Sequence, residues 1–249
     1  MAWFALAARD MRVPNREPVC HSSPVCHSER SEESLLPSVV HLEACENYQK
    51  QSYRNRCYIL GPQGPQMLQV PVVHAPGAEG ACPSASLRDP VRANAEGQAL
   101  SALRICAVRV DYSTPWVLRT QRALDTAYQT SAYFDYYRDE LFALLEAQPQ
   151  TLWELNLSLI RWCLRRAGVA CELEPTVDFT APGALPDDYR YSLHPKRPDT
   201  VLANLGLEKP YYQVFRDHLG GFTPGLSILD LLFNEGPGSI RWLKAWHGR

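Results

Sequence analysis

The chain has no long hydrophobic run and no excess of charge of either sign. No stretch of its 249 residues approaches the roughly 20 consecutive apolar residues that a membrane-spanning helix needs. The 25 basic and 27 acidic side chains give a formal net charge of −2. We therefore expect no basic surface for nucleic acid or for an anionic membrane. The first residues, MAWFALAARDM, have a short apolar run without preceding basic residues, so we expect no secretory signal.

Familiar catalytic and cofactor motifs are missing as well. The sequence contains no GxSxG, no HExxH and no Walker loop, and no glycine-rich phosphate loop follows a predicted strand. It gives no direct support to a dinucleotide-binding fold, and it identifies no cofactor. The eight cysteines include no CxxC pair. Without an export signal, this usage is typical of reduced thiols in a cytoplasmic protein.

Two Cys-His pairs near the start raise the question of a zinc site. The segment PVCHSSPVCHSERSEES contains Cys20-His21 and Cys26-His27, six residues apart. Zinc ligands in structural sites are usually separated by a few residues within each pair, whereas adjacent side chains diverge. Ser, Glu, Arg and Pro surround the pairs, so no small apolar core can form. We therefore predict a disordered segment at 12–38 with no metal, and a true metal site is the alternative.

Hydrophobic patterning of the remaining chain predicts an α/β or α+β fold. A short mixed sheet with a β-hairpin at about 53–73, across GPQGPQ, precedes a mostly helical C-terminal half. Strands are predicted at 39–44, 53–60, 67–73, 104–112 and 170–179. Helices are predicted at 115–130, 133–147 and 151–168, and within YYQVFRDHL, LSILDLLF and GSIRWLKAW. Long loops are expected at about 74–102 and 181–210.

A basic block with interleaved tyrosines, YQKQSYRNRCYI, is a candidate anion-binding segment. Lys50, Arg54 and Arg56 are its cations, and arginine matches the geometry of phosphate and carboxylate groups. If a strand begins at Tyr53, the two arginines share one face, and Tyr53 and Asn55 share the other. The alternative is an alternating strand whose polar face meets water.

A second basic segment, SLHPKRP, contains His194 and Lys196 in a predicted loop. Loops carry a disproportionate share of binding residues. A solvated basic loop without a ligand is the alternative.

The C-terminal segment LSILDLLFNEGP predicts a largely buried helix with one polar stripe. Ser227, Asp230 and Asn234 lie three and four residues apart, so they share that stripe. An unpaired buried carboxylate is costly. Three alternatives follow: a functional site, a structural pair with a partner such as Arg54, Arg56 or Lys196, or a stripe that faces solvent.

The blocks ENYQKQSYRNRCYILGPQGPQMLQVPV, VDYSTPWVLRTQRALDTAYQTSAYFDYYRDEL, HPK and YYQVFRDHLGGFTPGLSILDLLFNEGP follow one another in the chain. Together they resemble the WbqC-like protein family over roughly residues 39–243, and LSILDLLFNEGP is the most specific element. This bacterial family is associated by gene context with O-antigen and other surface-polysaccharide clusters. The resemblance implies a role in such a pathway and supplies no established catalytic residue.

The resemblance also predicts the domain organisation. Residues 1–11 look like the remnant of an N-terminal helix, and 12–38 look like an insert without a counterpart in the family. The strand and turn that usually come first are missing, so the domain is expected to be truncated and interrupted. Residues 39–249 are expected to form one WbqC-like domain.

The leading hypothesis is an enzyme of surface-glycan assembly, a transferase that acts on a nucleotide- or lipid-linked sugar. The alternative is a non-catalytic binding or scaffold protein of the same pathway. The expected partner is a small anionic substrate, with no nucleic acid. Asp230 and His194 are the candidate catalytic residues. The candidate substrate-binding residues lie in the motif blocks: Lys50, Arg54, Asn55, Arg56, Lys196, Gln213, Asn234 and Glu235.

Overall fold

The structure is a computed structural model that describes residues 39–73, 104–184, 188, 190, 194–195 and 210–244. The predicted insert at 12–38, with its Cys-His pairs, lies outside the described residues. The same holds for the predicted loop at 74–102 and for most of the predicted loop at 181–210.

Three two-stranded sheets make up the β structure of the described residues. The first pairs β1 with β6 in parallel, although about 130 residues of chain separate them. The second pairs β2 with β3 as an antiparallel hairpin, and the third pairs the short strands β4 and β5 antiparallel. The strands span Val39–Leu42 (β1), Arg56–Gly61 (β2), Gly64–Gln69 (β3), Val72–Val73 (β4), Arg109–Val110 (β5) and Glu172–Pro175 (β6).

The predicted hairpin is confirmed, with a tighter turn than expected. Gly61 pairs with Gly64, so only two residues form the loop, and β3 begins at Gly64 rather than at residue 67. Gly64 has a φ of 112°, which a side chain would disfavour. Pro65 lies in β3 without disrupting the pair, because β3 has one strand neighbour in this two-stranded sheet.

Five α-helices follow in the described residues, and they confirm the predicted helical C-terminal half. They span Trp116–Tyr128 (α1), Phe134–Glu146 (α2), Leu152–Arg166 (α3), Ile228–Glu235 (α4) and Ser239–Lys244 (α5). The capping box that starts α3 forms as expected, since Thr151 and Glu154 exchange two hydrogen bonds of 3.1 Å. Gly168, with a φ of 71°, ends this helical stretch.

Two sequence-based assignments of secondary structure are wrong in detail. The segment predicted as a strand at 104–112 begins with a 3₁₀ turn, Ile105–Ala107, and only Arg109–Val110 is strand. Two backbone hydrogen bonds hold this segment instead: the N–H of Ile105 donates to the carbonyl of Glu46, and the N–H of Leu152 donates to the carbonyl of Val108. The segment YYQVFRDHL forms turns rather than a helix, and Gly220 and Gly221, with positive φ angles, follow it.

A single main apolar core joins the helices to the hairpin. Its centre is an aromatic cluster in which Phe233 of α4 lies 4.9 Å from Tyr128 and 5.0 Å from Phe134, ring centroid to ring centroid. Helix α4 is buried on almost every side, as its composition predicts. Among the described residues, none of the helices is both long and apolar enough to cross a membrane.

Candidate functional site

The basic block between β1 and β2 is fixed by a buried ion pair. Arg54 donates two hydrogen bonds of 2.6 Å to the two carboxylate oxygens of Glu46, from Nε and from a terminal nitrogen. Their side chains are 7% and 4% exposed. Gln51, which has a φ of 59°, reverses the chain between them. Such bidentate geometry is the strong form of the pair, so this guanidinium is committed to holding the block together.

Asn55 anchors the same block to the far end of the hairpin. Its Nδ2 donates to the carbonyl of Val70 at 3.0 Å, and the Val70 N–H donates to the Asn55 carbonyl at 2.8 Å. Asn156 of α3 donates to the carbonyl of Arg54 at 2.8 Å. The expected strand alternation from Tyr53 is therefore wrong, because residues before Arg56 are turns. As a result Arg54, Asn55 and Arg56 all line one cavity.

We call this space the Arg56 cavity; it holds about 560 Å³ of empty volume, including its open mouth. Its walls are mainly apolar. The apolar lining includes Leu68, Leu124, Leu141, Leu145, Leu159 and Leu229.

Three buried polar atoms of the Arg56 cavity have no hydrogen-bond partner among the described residues: Nε of Arg56, Nε1 of Trp116 and Oδ1 of Asn55. Trp116 is 4% exposed and Asn55 is 5% exposed. Buried polar groups without partners are rare and cost about 1–3 kcal/mol each. Their grouping in one cavity therefore marks it as a candidate binding site.

A second cavity lies on the other side of Arg54, with about 680 Å³ of empty volume including its mouth. Glu43 and Glu46 line it, together with apolar residues of α3. Glu43 is satisfied by protein donors, since it accepts from Arg190 at 3.1 Å and from Thr176 at 2.8 Å. The polar groups here stabilise the fold, and they leave the Arg56 cavity as the stronger candidate.

Asp230 is enclosed by hydrogen-bond donors. It is 1% exposed and accepts from the hydroxyl of Tyr128 at 2.8 Å, from the hydroxyl of Tyr211 at 2.6 Å and from Nε2 of Gln213 at 3.1 Å. Of the three alternatives for its stripe, exposure to solvent is thus wrong. Its partners are neutral donors, and Asp230 lines neither cavity.

The pKa of Asp230 is raised by burial, and its three hydrogen bonds oppose that rise. Between the ordinary aspartate pKa of about 3.9 and this raised pKa, the folded state binds a proton that the unfolded state does not. Acidification through this interval therefore stabilises the fold through Asp230. Urea titrations of the wild-type protein and of Asp230→Asn measure this effect as the difference between their free energies of unfolding. We expect the wild-type protein to gain stability relative to Asp230→Asn as the pH falls from neutral towards 4.

The matched control for this titration is Asp217→Asn, which changes an exposed carboxylate. The difference in free energy of unfolding between the wild-type protein and Asp217→Asn should vary less with pH than the difference between the wild-type protein and Asp230→Asn. A difference for Asp230→Asn that shrinks on acidification would contradict the burial argument.

The remaining candidate residues do not gather in the Arg56 cavity. Lys50 is exposed, His194 is half-buried, and Lys196 lies outside the described residues. Asn234 donates to the carbonyl of Asp230 at 2.7 Å, and Glu235 accepts from the N–H of Tyr212 at 3.2 Å. Some candidates therefore line the Arg56 cavity and others surround Asp230, whereas Lys50 and His194 line neither of the two cavities. The functional roles of all the candidates stay predictions.

Sequence reasoning missed the partners that define both groups. Glu46 was visible in the same block, eight residues before Arg54, but only the turn at Gln51 brings them together. Tyr128 is separated from Asp230 by 102 residues, and no local pattern could have paired them. Trp116 belonged to a motif block, but its unpartnered indole nitrogen is visible only in three dimensions.

Comparison with known proteins finds one similarity. The model of the WbqC-like protein family matches residues 84–188, so this part of the chain is similar to that family. The match supports the resemblance seen in the sequence motifs. The matched range contains Trp116 and Asn156, whereas Arg56 and Asp230 lie outside it. No curated protein matches the chain. No solved structure matches it either.

Among the described residues, no group of three or more His, Cys, Asp or Glu side chains is arranged to hold a metal ion.

Proposed function

We propose that this chain is a cytoplasmic enzyme of bacterial surface-polysaccharide assembly, such as O-antigen synthesis, and that it acts as a transferase on a nucleotide- or lipid-linked sugar. The observation that carries the proposal is the Arg56 cavity. Its mainly apolar walls include an arginine that forms no ion pair with another described residue, one further buried donor, Nε1 of Trp116, and one buried acceptor, Oδ1 of Asn55. Such a cavity suits a substrate that combines an anionic group with a less polar body. The family match supports the choice of pathway.

Within this proposal, Arg56 holds the phosphate or another anion of the substrate. Arg54 acts indirectly, because its guanidinium is bound to Glu46 and fixes the backbone that presents Arg56. Lys196 and His194 are further candidates from the second basic segment. Asp230 orients its tyrosine partners rather than meeting substrate in either cavity, and a role as general base requires access that its 1% exposure does not give.

The first test is a thermal-shift screen of the full chain against nucleotide-linked sugars. We expect at least one to raise the melting temperature, and Arg56→Ala should abolish that rise. Arg161→Ala, which removes an exposed arginine of α3, is the matched control and should keep it. Stabilisation by none of these ligands would count against the proposal.

A second candidate function is a non-catalytic binding or scaffold protein of the same pathway. The three hydrogen bonds that the Asp230 carboxylate accepts favour it, because a buried carboxylate with its donors in place is typical of structural specificity. The two functions differ in turnover. The enzyme should release nucleotide from the bound sugar when acceptors are supplied, as measured by mass spectrometry, whereas the scaffold should bind the sugar without consuming it.

A further inference from the structure

We infer that the Arg56 cavity recognises a sugar bearing an oxyanion, either phosphate or carboxylate, through Arg56, Trp116 and Asn55 acting together. This deepens the proposed function by naming the site and the substrate class, and it rests on that function for the choice of a sugar. The oxyanion accepts from Nε of Arg56 and Nε1 of Trp116. A hydroxyl group of the same sugar donates to Oδ1 of Asn55.

Charge in the cavity favours an anionic ligand. Within the described part of the chain, none of the ion pairs includes Arg56. The guanidinium is a cation, so its charge must be balanced by a ligand or by solvent. Because its Nε is buried against apolar walls, an oxyanion gains more from this contact than it would in water.

Trp116 supplies a second donor whose position is fixed. The indole lies at the start of α1, and its ring centroid is 5.7 Å from that of Tyr112. Tyr112 is held in turn by its hydroxyl, which donates to the carbonyl of Pro149 at 2.9 Å. The indole N–H is donor only, so it can be satisfied only by an acceptor. An oxygen of the oxyanion would meet that requirement in the cavity that Arg56 also lines.

Asn55 explains why the ligand carries hydroxyl groups as well. Its amide nitrogen is used by the carbonyl of Val70, so its Oδ1 is the atom left for the cavity. An unpartnered acceptor calls for a donor, which phosphate and carboxylate oxygens do not supply when ionised. A sugar supplies it through a hydroxyl, and its C–H faces suit the leucine-rich walls.

The test measures binding by calorimetry with glucose 1-phosphate, glucuronate, glucose and inorganic phosphate. We expect one or both of the charged sugars to bind, and the preferred one identifies the oxyanion as phosphate or carboxylate. Trp116→Phe keeps the ring and removes the N–H, and Arg56→Gln removes the charge. Each should weaken binding of that sugar about tenfold or more, as expected for hydrogen bonds to charged groups.

Trp162→Phe is the matched control, because the Trp162 indole N–H already donates to Glu140 at 2.9 Å and lines neither cavity. It should leave the affinity unchanged. The inference is overturned if no charged sugar binds, if inorganic phosphate or glucose binds as tightly as the charged sugar, or if the Trp116 and Arg56 variants bind like the parent. If binding depends on these residues but no linked sugar is turned over, the inferred binding site stands and the proposed enzymatic function is wrong.

Discussion

Replacing Glu46 by alanine is expected to lower the free energy of unfolding by about 3–5 kcal/mol. The variant leaves the Arg54 guanidinium buried without the carboxylate that now accepts its two 2.6 Å hydrogen bonds. Because both side chains are buried, at 7% and 4% exposure, water replaces the lost partner only in part. Denaturant titration of the purified chain, followed by circular dichroism, measures the effect.

Two further variants separate two free energies: the cost of leaving the buried Arg54 charge without a partner, and the net contribution of the ion pair to stability. Asp125→Ala breaks the half-exposed pair with Arg138 and should cost only about 0.2–1 kcal/mol. The double variant Glu46→Leu/Arg54→Met removes both charges and should recover most of the loss from Glu46→Ala. An equal loss for Glu46→Ala and Asp125→Ala would show that the buried pair is not a special anchor of the block.

The second large effect is expected at Gly236, which joins α4 to the following 3₁₀ turn. Gly236→Ala should destabilise the fold by about 2–5 kcal/mol, by combining a positive-φ backbone conformation that favours glycine with overpacking. Its φ is 54°, and an added Cβ would lie 2.5 Å from Cγ and 2.6 Å from Cε1 of Tyr133. A shift in the midpoint of chemical denaturation reports this change.

Gly238→Ala provides the matched control two residues later. An added Cβ at Gly238 meets nothing within 4 Å, so this variant should stay close to the wild-type stability. Trimming the ring with Tyr133→Ala in the Gly236→Ala background should relieve the clash and leave the backbone strain. Similar stabilities for the two glycine variants would contradict the close approach of Tyr133 to this turn.

Local patterns were sufficient to predict most elements of this fold. The spacing of Thr151 and Glu154 predicted the start of α3, because a capping box involves only neighbouring residues. The apolar composition of LSILDLLF predicted the burial of α4. The glycine- and proline-rich GPQGPQ predicted the hairpin, although the strands extend further into it than alternation alone suggested.

Pairings between distant segments could not be predicted. Nothing near Val39 identifies Glu172 as its parallel partner, because such pairing depends on the whole topology. The same limit applies to the site. The sequence predicts anion binding by the arginine-rich block, and that role stays a prediction. In the structure its two arginines differ in their surroundings: Arg54 is bound to Glu46, and Arg56 lines a cavity that holds unpartnered polar atoms.

The most direct test of this account observes the indole N–H of Trp116 itself. A nitrogen-15 spectrum of the chain should show the six tryptophan indole signals, and Trp116→Phe assigns one of them. On addition of the sugar phosphate or uronate that binds, the Trp116 signal should shift strongly downfield, as a new hydrogen bond forms. The Trp162 signal, already bonded to Glu140, should stay in place. Saturating binding that leaves the Trp116 signal unmoved would contradict the assignment of the Arg56 cavity as the binding site.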